Sequence, residues 1–219
     1  MSFELAVFDM DGTTLDTAKD LCVSLNTALE ACGFSQRRSV DEVRSFAGNG
    51  IHRLVELGVP EGTSDDDIEA VFAAFNKHYA VHCNDFTKPY DGIKEAVSEV
   101  RRRGIKTALI SNKADYAVQD LCKLHFQGLF DYAVGEKEGI RRKPCPDSLN
   151  EVMRRLGMSK EQTVYVGDSE VDLKTAENGG TACIAVLWGF RERSFLLEHG
   201  ARKEFMAEDP KELPDMISR

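Results

Sequence analysis

Two aspartates stand two residues apart near the start of this chain, in the run Asp9 to Thr13 (DMDGT). They follow the apolar stretch Leu5 to Phe8, which predicts a short buried strand. Because burying two neighbouring carboxylates is costly, we expect a compensating charge, and a hard cation such as Mg²⁺ is the natural candidate. Gly12 permits a tight turn and the close approach of an anion. A carboxylate nucleophile, a metal and an exposed turn together are typical of phosphoryl transfer.

The same short pattern has two simpler interpretations. Taken alone, D-x-D-G is more often a surface turn than a site. It also opens calcium loops, but such a loop needs glycine at its sixth position and glutamate at its twelfth. Counted from Asp9, those positions hold Thr14 and Asp20, so a calcium loop is excluded. The choice between turn and active site depends on the rest of the chain.

The segment that follows is predicted to be helical throughout, over residues 16–86. Apolar residues recur at helical spacing from Ala18 to Cys32 and stop at Gly33. Ser39 to Glu42 forms a capping box for a second helix, which the run Gly48 to Gly50 interrupts. Acidic residues from Asp65 begin a further amphipathic helix. We therefore predict a helical cap domain of residues 16–86.

From Tyr90 onward the pattern alternates between helices and short apolar strands. This alternation predicts a parallel sheet covered by helices, to which the first strand also belongs. The predicted fold is α/β, a Rossmann-like parallel sheet core of residues 1–15 and 87–219 with the helical cap inserted. The later strands are predicted at 107–110, 132–134, 163–166 and 181–186.

Polar residues follow three of the predicted strands, and ligands of open α/β sheets bind at the carboxyl ends of strands. The first strand ends in Asp9 and Asp11, and the second in the run Ser111 to Lys113. The third ends at Asp168, with Asp172 one helical turn further on. A fourth polar cluster, residues 141–144, lies in a loop before a helix. Four such clusters in this order on one rim favour a site over surface turns.

This set of motifs resembles the haloacid dehalogenase superfamily of phosphatases over nearly the whole chain. The matching motifs are DMDGT from Asp9, Ser111 after an apolar strand, KPCPD from Lys143, and GDSEVD ending at Asp172. The helical insertion after the first motif is similar to the cap of that superfamily. Ser111-Asn112-Lys113 and the C-terminal LWGFR segment resemble the phosphoglycolate phosphatase-like subgroup.

The resemblance implies a role for each matching acidic residue. Asp9 would attack phosphorus and form an aspartyl-phosphate, and Asp11 would act as general acid and base. The metal would be Mg²⁺, held by Asp9, by the backbone carbonyl of Asp11 and by Asp168. Asp172 would orient Lys143 or water at the metal without binding the metal itself, or would only begin a helix.

The remaining matched residues are expected to bind phosphate. Phosphoryl transfer requires the three equatorial oxygens to be neutralised. The Ser111 hydroxyl, the Lys143 ammonium and backbone amides near Gly12 would contribute, with Asn112 contributing its backbone N–H. Lys143 is thus predicted to be both catalytic and phosphate-binding.

Composition restricts the partners. A net charge of -9, from 28 basic and 37 acidic residues, argues against a general nucleic-acid binder but not against an anionic substrate in one cleft. Six scattered cysteines without a C-x-x-C pair indicate reduced thiols. With neither a signal peptide nor a membrane span, a cytoplasmic location is expected. The expected partner is a small phosphorylated metabolite.

The cap offers a weaker hypothesis about specificity. Arg44, His52 and Arg53 flank the Gly48 to Gly50 break, so this loop would bring cations to the leaving group. The simpler interpretation is a helix–loop–helix connection with solvated cations, which we favour.

Several functions remain compatible with the motifs. The leading one is a Mg²⁺-dependent phosphatase of a small phosphomonoester, with 2-phosphoglycolate as the first candidate. Pyrophosphate, sugar phosphates and nucleotides are alternative substrates, and a β-phosphoglucomutase-like mutase is an alternative reaction. A non-catalytic phosphate-binding module is the alternative from another class, although a binder gains nothing from a nucleophile. A dehalogenase expels halide and needs no proton donor, so Asp11 would have no function in that reaction.

Overall fold

The computed structural model describes residues 3–218, and these divide into two compact units. One unit contains the described residues up to Leu15 together with those from Pro89 onward, and the other is Asp16–Lys88. The second boundary lies two residues after the predicted one. Phe86 and Thr87 stay with the helical unit because their backbone amides donate to the buried carboxylate of Asp20, at 2.8 to 3.1 Å.

The elements are numbered in chain order. The strands are β1 (Leu5–Asp9), β2 (Leu15–Asp16), β3 (Lys88–Pro89), β4 (Lys106–Ala114), β5 (Tyr132–Glu136), β6 (Thr163–Gly167), β7 (Ala182–Val186) and β8 (Met206–Ala207). The α-helices are α1 (Ala18–Ala31), α2 (Val40–Phe46), α3 (Ile51–Gly58), α4 (Asp65–His82), α5 (Ile93–Arg102), α6 (Asp115–His125), α7 (Asp147–Leu156), α8 (Glu170–Gly179), α9 (Arg193–Glu198) and α10 (Leu213–Ile217). Short 3₁₀ turns occupy Lys203–Phe205 and Pro210–Glu212.

A six-stranded parallel sheet forms the centre of the α/β unit, in the order β5-β4-β1-β6-β7-β8. Every residue of β1 is buried, as expected of a strand with helices on both faces. Strand β1 pairs with β4 on one side and with β6 on the other, and the chain reaches β6 only after β4 and β5. The crevice of such a sheet opens where the strand order reverses, at the carboxyl end of β1.

The helical unit consists of α1 to α4, of which α1 and α4 are the longest. Ser39 and Glu42 form the predicted reciprocal capping box at the start of α2. The Gly48 to Gly50 run separates α2 from α3, and both end glycines have positive φ, 112° and 84°, which glycine adopts without strain.

The predicted fold class, a parallel α/β sheet with an inserted helical segment, is confirmed. Local features differ from the prediction, and the first of these is the short pair of strands β2 and β3, which was not predicted. Strand β4 continues to Ala114 rather than stopping at Ile110, because its pairing with β5 resumes at Ala114 after an irregularity. The elements after β7, namely α9, β8 and α10, were not anticipated, since their apolar residues follow no clear period. Within residues 3–218, every helix is too short or too polar to cross a membrane.

Candidate active site

Three neighbouring strands bring the predicted residues to one edge of the sheet. Asp9 is the last residue of β1, Ser111 lies in the irregular end of β4, and Asp168 directly follows β6. Since β4, β1 and β6 are adjacent and parallel, their carboxyl ends meet at this edge. Residues that are 155 positions apart thereby come into contact, as Thr13 and Asp168 do.

A buried lysine lies at the centre of the site. The Nζ of Lys143 is 2.6 Å from Asp9 Oδ1 and 2.8 Å from Asp172 Oδ1. It also lies 3.1 Å from the hydroxyl of Tyr165, which donates to Asp172 Oδ1 at 2.9 Å. All four side chains are buried. The ammonium is thus held between the nucleophile candidate and a second carboxylate, with little freedom to turn away.

Asp172 is both a capping residue and a partner of the lysine. Its Oδ2 accepts from the hydroxyl of Ser169 at 2.6 Å and from the backbone amides of Asp168 and Ser169. Its Oδ1 faces Lys143 and Tyr165. Asp172 was predicted either to orient Lys143 or only to begin a helix. Its position fits both, because Oδ2 takes part in the capping box of α8 and Oδ1 accepts from Lys143.

Burial and neighbouring charges shift the pKa values of these groups in different directions. Burial, and then the Asp172 charge, raise the pKa of Asp9, although Lys143 opposes them. Burial alone would lower the pKa of Lys143, but Asp172 and Asp9 outweigh it and raise that pKa above its usual value. Burial would raise the pKa of Asp172, yet Lys143 and several hydrogen bonds hold it below the ordinary value. The ammonium and Asp172 form the charged pair.

Asp168 is positioned by two other segments. Thr13 donates its hydroxyl to Oδ1 at 3.0 Å, and the backbone amide of Phe190 donates to Oδ2 at 2.7 Å. Gly12 and Gly189 pack so closely on this carboxylate that a methyl group at either position would overlap it. Burial, and then repulsion from Asp172, raise the pKa of Asp168 to about 7.

Asp11 has a separate set of partners. Lys113 Nζ lies 3.2 Å from Asp11 Oδ1, and the hydroxyl of Ser111 donates to Oδ2 at 3.3 Å. Asn112 points elsewhere: its side-chain amide donates to the backbone carbonyl of Lys143 at 3.1 Å, and its side-chain oxygen accepts from the backbone N–H of Lys143 at 2.7 Å. Asn112 therefore fixes the lysine loop against β4.

The turn after Asp9 uses most of its own amides. Gly12 N–H donates to Leu15 O at 2.9 Å, and the amides of the next three residues donate to Met10 O at 2.9 to 3.4 Å. Gly12, at φ 91°, is thus occupied in shaping the turn and in making room for Asp168. The amides that directly follow the nucleophile candidate belong to Met10 and Asp11.

The arrangement of carboxylates suits a divalent cation. Asp9, Asp168 and Asp172 each offer an oxygen within 4.8 Å of the others, and all three are buried. Three buried carboxylates against one ammonium leave excess negative charge, which adds to the effect of burial in raising the pKa values of Asp9 and Asp168. Since Asp172 already bonds Lys143, Tyr165 and Ser169, the carboxylates best placed for a cation are those of Asp9 and Asp168.

Sequence reasoning missed several residues of this site. Tyr165 lies inside a strand and looks like an ordinary core residue; only its position two residues before the Gly167-Asp168 motif hinted at a polar contact. Lys113 was noted as part of a motif but was given no role. The segment after β7 was noted only for its resemblance, whereas its Trp188 donates to Thr13 O at 2.9 Å.

The cations proposed to flank the helical break are engaged with acids of their own unit. His52 contacts Glu56 and Glu69 at 3.0 and 2.7 Å, and Arg53 contacts Glu56 at 2.7 Å. Arg44 lies 3.8 Å from Asp16. These pairs agree with the simpler interpretation, solvated cations in a helix–loop–helix connection.

Comparison with known proteins establishes the class of the protein. The model of the haloacid dehalogenase-like hydrolase family matches residues 6–186, from the second residue of β1 to the end of β7. This range includes the helical unit and Asp9, Asp11, Lys143 and Asp168. The chain therefore belongs to the haloacid dehalogenase-like hydrolase family.

Individual relatives are similar over most of their length. A phosphoglycolate phosphatase of Mesorhizobium japonicum is 33% identical over 201 residues, covering 88% of this chain and 86% of its own. One of Aquifex aeolicus is 30% identical over 185 residues, 84% of each chain. Among solved structures, a protein of Lactobacillus delbrueckii subsp. bulgaricus, provisionally assigned as a phosphoglycolate phosphatase, is 38% identical with a TM-score of 0.95, covering 100% of this chain and 99% of its own.

Proposed function

We propose that this protein is a Mg²⁺-dependent phosphatase that hydrolyses a small phosphomonoester through an aspartyl-phosphate on Asp9. The observation that carries the proposal is the contact of buried Lys143 with Asp9 at 2.6 Å. A carboxylate at a strand end, next to a fixed cation, is suited to approach an anionic phosphoryl group that it would otherwise repel.

The first step forms a bond between an Asp9 oxygen and phosphorus while the bond from phosphorus to the ester oxygen breaks. The ester oxygen leaves with a proton from Asp11. In the second step a water molecule gives its proton to Asp11 and attacks phosphorus, which releases phosphate and restores Asp9. A positioned acid–base group of this kind contributes roughly 10²- to 10⁴-fold.

Lys143, Ser111 and the backbone amides after Asp9 bind the phosphoryl oxygens. Lys143 supplies a full charge beside the nucleophile, and Asn112 and Asp172 keep it there. The Ser111 hydroxyl lies at the end of β4 and accepts from Lys113 N–H at 3.1 Å, which orients it. Preorganised donors of this kind stabilise charge in the transition state without reorganising.

Mg²⁺ would be held by Asp9 and Asp168, with the backbone carbonyl of Asp11 as the third protein ligand that the family resemblance implies. When bound, the cation neutralises phosphoryl oxygens and the excess charge of the carboxylates. Thr13 and Phe190 orient Asp168 from behind, at 3.0 and 2.7 Å. Supporting contacts of this type commonly change metal affinity by about 10- to 100-fold.

The first candidate substrate is 2-phosphoglycolate. The relatives of Aquifex aeolicus and Mesorhizobium japonicum, 30% and 33% identical, are named phosphoglycolate phosphatase, and the chain covers more than four fifths of each of these two. A cytoplasmic location is part of the proposal. All six cysteines lie in the described part of the chain and are thiols, which agrees with a reducing compartment.

The experiment is phosphate release from a panel of phosphomonoesters, pyrophosphate and nucleotides, with and without Mg²⁺. We expect release from native protein only with Mg²⁺, 2-phosphoglycolate as the best substrate, and loss of turnover in Asp9→Asn. Asp131→Asn, which changes an aspartate near the start of β5, is the matched control. Release that survives in Asp9→Asn would disprove the nucleophile, and a better substrate in the panel would replace 2-phosphoglycolate.

A further inference from the structure

We propose that Lys113 determines substrate specificity by binding a carboxylate on the leaving group, next to the ester oxygen. The inference rests on the proposed function and names its substrate class, phosphomonoesters of small α-hydroxy acids. It comes from the presence of two buried lysines with different partners in one site.

Each lysine side chain is only 4% exposed, so neither is a solvated surface cation. Lys143 is held by Asp9 and Asp172, on the side of the site where phosphorus is attacked. Lys113 lies 3.2 Å from Asp11, the residue that serves the departing oxygen. The two ammonium groups thus face the two ends of the bond that breaks.

Neutralising the phosphoryl group does not explain the second lysine. In the proposed function that group is bound by Lys143 and the Ser111 hydroxyl, and Mg²⁺ would neutralise it further. Burying an ammonium is costly even beside the Asp11 carboxylate, and a negative charge on the bound substrate would offset that cost. The leaving group is the part of the substrate that Asp11 faces, and a carboxylate there would supply that charge.

The end of β4 holds Lys113 in place. Its N–H donates to Ser111 Oγ at 3.1 Å, and the same hydroxyl donates to Asp11 at 3.3 Å. Gly135 of β5 lies so close to the Lys113 carbonyl that a methyl group there would overlap it. Asp115, the first residue of α6 directly after β4, accepts from Gly135 N–H at 2.8 Å and so connects this end of β4 to β5. The backbone that carries Lys113 is therefore fixed.

The chemistry of an ammonium fits a small carboxylate. It offers three donors around a point charge, so it can contact Asp11 and a second carboxylate at once. In an α-hydroxy acid ester the carboxylate is bonded to the carbon that bears the ester oxygen. A group that contacts Asp11 beside that oxygen is within reach of it. A charge-assisted contact of this kind corresponds to about a tenfold to hundredfold preference.

The experiment compares 2-phosphoglycolate with ethyl phosphate, which has the same ester carbon but carries a methyl group instead of the carboxylate. The measured quantity is the ratio of their kcat/KM values, with Mg²⁺, for native protein and Lys113→Met. We expect native protein to prefer 2-phosphoglycolate and the ratio to fall about tenfold or more in the variant, mainly through KM. Lys137→Met, at an exposed lysine of the same unit, should keep the native ratio.

Each other outcome has a defined meaning. If Lys113→Met lowers kcat/KM equally for both esters, Lys113 serves Asp11 alone and the proposal is overturned. If Lys113→Met fails to fold, the measurement on native protein still tests the proposal. Equal kcat/KM values of native protein for the two esters would show that it does not recognise the carboxylate. If native protein releases phosphate from neither ester nor from any other compound, the proposed function itself fails. Phosphatase activity without carboxylate preference overturns only this proposal.

Discussion

Charged side chains behave differently in the two units of this protein. In the helical unit most ion pairs of the described residues join positions three or four apart, such as Arg53 and Glu56, whose side chains are 54% and 32% exposed. At the edge of the parallel sheet the pairs join distant residues and are buried. Lys143 and Asp9 are 134 positions apart, with side chains 4% and 8% exposed.

The difference shows which charges carry function. Exposed pairs within one helix contribute only a few tenths of a kcal/mol, since water competes for both partners. Buried pairs cost desolvation and require the fold to bring their partners together, so they are explained by chemistry better than by stability. Asp20 of the helical unit is also buried, and it accepts hydrogen bonds from residues more than 60 positions away. A variant of Asp20 therefore tests what a buried carboxylate contributes outside the candidate active site.

The largest expected effect is that of Lys143→Met. Removing the ammonium leaves Asp9 and Asp172 facing each other and takes a full charge from the phosphoryl site. We expect kcat/KM to fall by roughly 10²- to 10³-fold on every substrate. Steady-state kinetics would measure this, with Lys174→Met, an exposed lysine paired with Glu177, as control. Equal kinetics in the two variants would contradict the assignment of Lys143.

The next effect tests the support of Asp168. In Gly189→Ala the added methyl would overlap the Asp168 side chain and Gly12 O, so the carboxylate must move. We expect the Mg²⁺ concentration for half-maximal activity to rise by about 10-fold, within the range found for residues that orient metal ligands. Mg²⁺ titrations of activity and of Tm measure it.

Gly179→Ala is the matched control for that variant. The atoms nearest to its methyl would belong to the side chains of Leu149 and Pro146, the closest being Leu149 Cδ2 at 2.6 Å, so it strains packing away from Asp168. If both variants need more Mg²⁺ to the same degree, general destabilisation explains the effect and the segment after β7 has no part in metal binding.

A smaller effect is expected from Asp20→Ala in the helical unit. Asp20 accepts from Phe86 and Thr87 amides and from the Thr87 hydroxyl, at 2.7 to 3.1 Å. Removing a buried acceptor of several hydrogen bonds should lower stability by about 1–3 kcal/mol. Hydrogen exchange at the amides of Phe86 and Thr87 should accelerate, and denaturant unfolding gives the free energy. Asp41→Ala, at a carboxylate 89% exposed, should change neither.

The smallest effect concerns His52. Its hydrogen bond to Glu69 raises its pKa, so its contribution to stability is present below the ordinary value of 6.5 and is lost as pH rises through the raised pKa. Because the pair is exposed, we expect His52→Gln to change the free energy of unfolding by less than about 0.5 kcal/mol at any pH. A KM for substrate that rises tenfold would instead support the hypothesis that this loop reads the leaving group.

Much of the fold was predictable because its signals are local. The apolar run before Asp9 and the capping box at Ser39 depend on nearby residues only. The helical break at Gly48 depends on glycine. The elements after β7 were missed because α9 and β8 are short and are held by packing against β7 rather than by a periodic pattern.

The candidate site was predictable in part, for a similar reason. Asp9, Asp11, Lys143 and Asp168 belong to recognisable motifs, and the parallel sheet brings their loops to one edge. The role of Tyr165 was not predictable, because a tyrosine in an apolar strand has the same local pattern whether or not its hydroxyl meets a lysine. The contact of Lys113 with Asp11 depends on the irregular end of β4, where no pattern tells which way a side chain turns.

The amino-acid sequence by itself determined the family, the order of the longer helices and strands up to β7, and the residue types available for chemistry, since these follow from motifs and short-range spacing. Only the tertiary structure decided which carboxylate pairs with which lysine. Burial makes those pairings strong and shifts the pKa values of the groups involved, and burial depends on residues far apart in the chain meeting at one edge of the sheet.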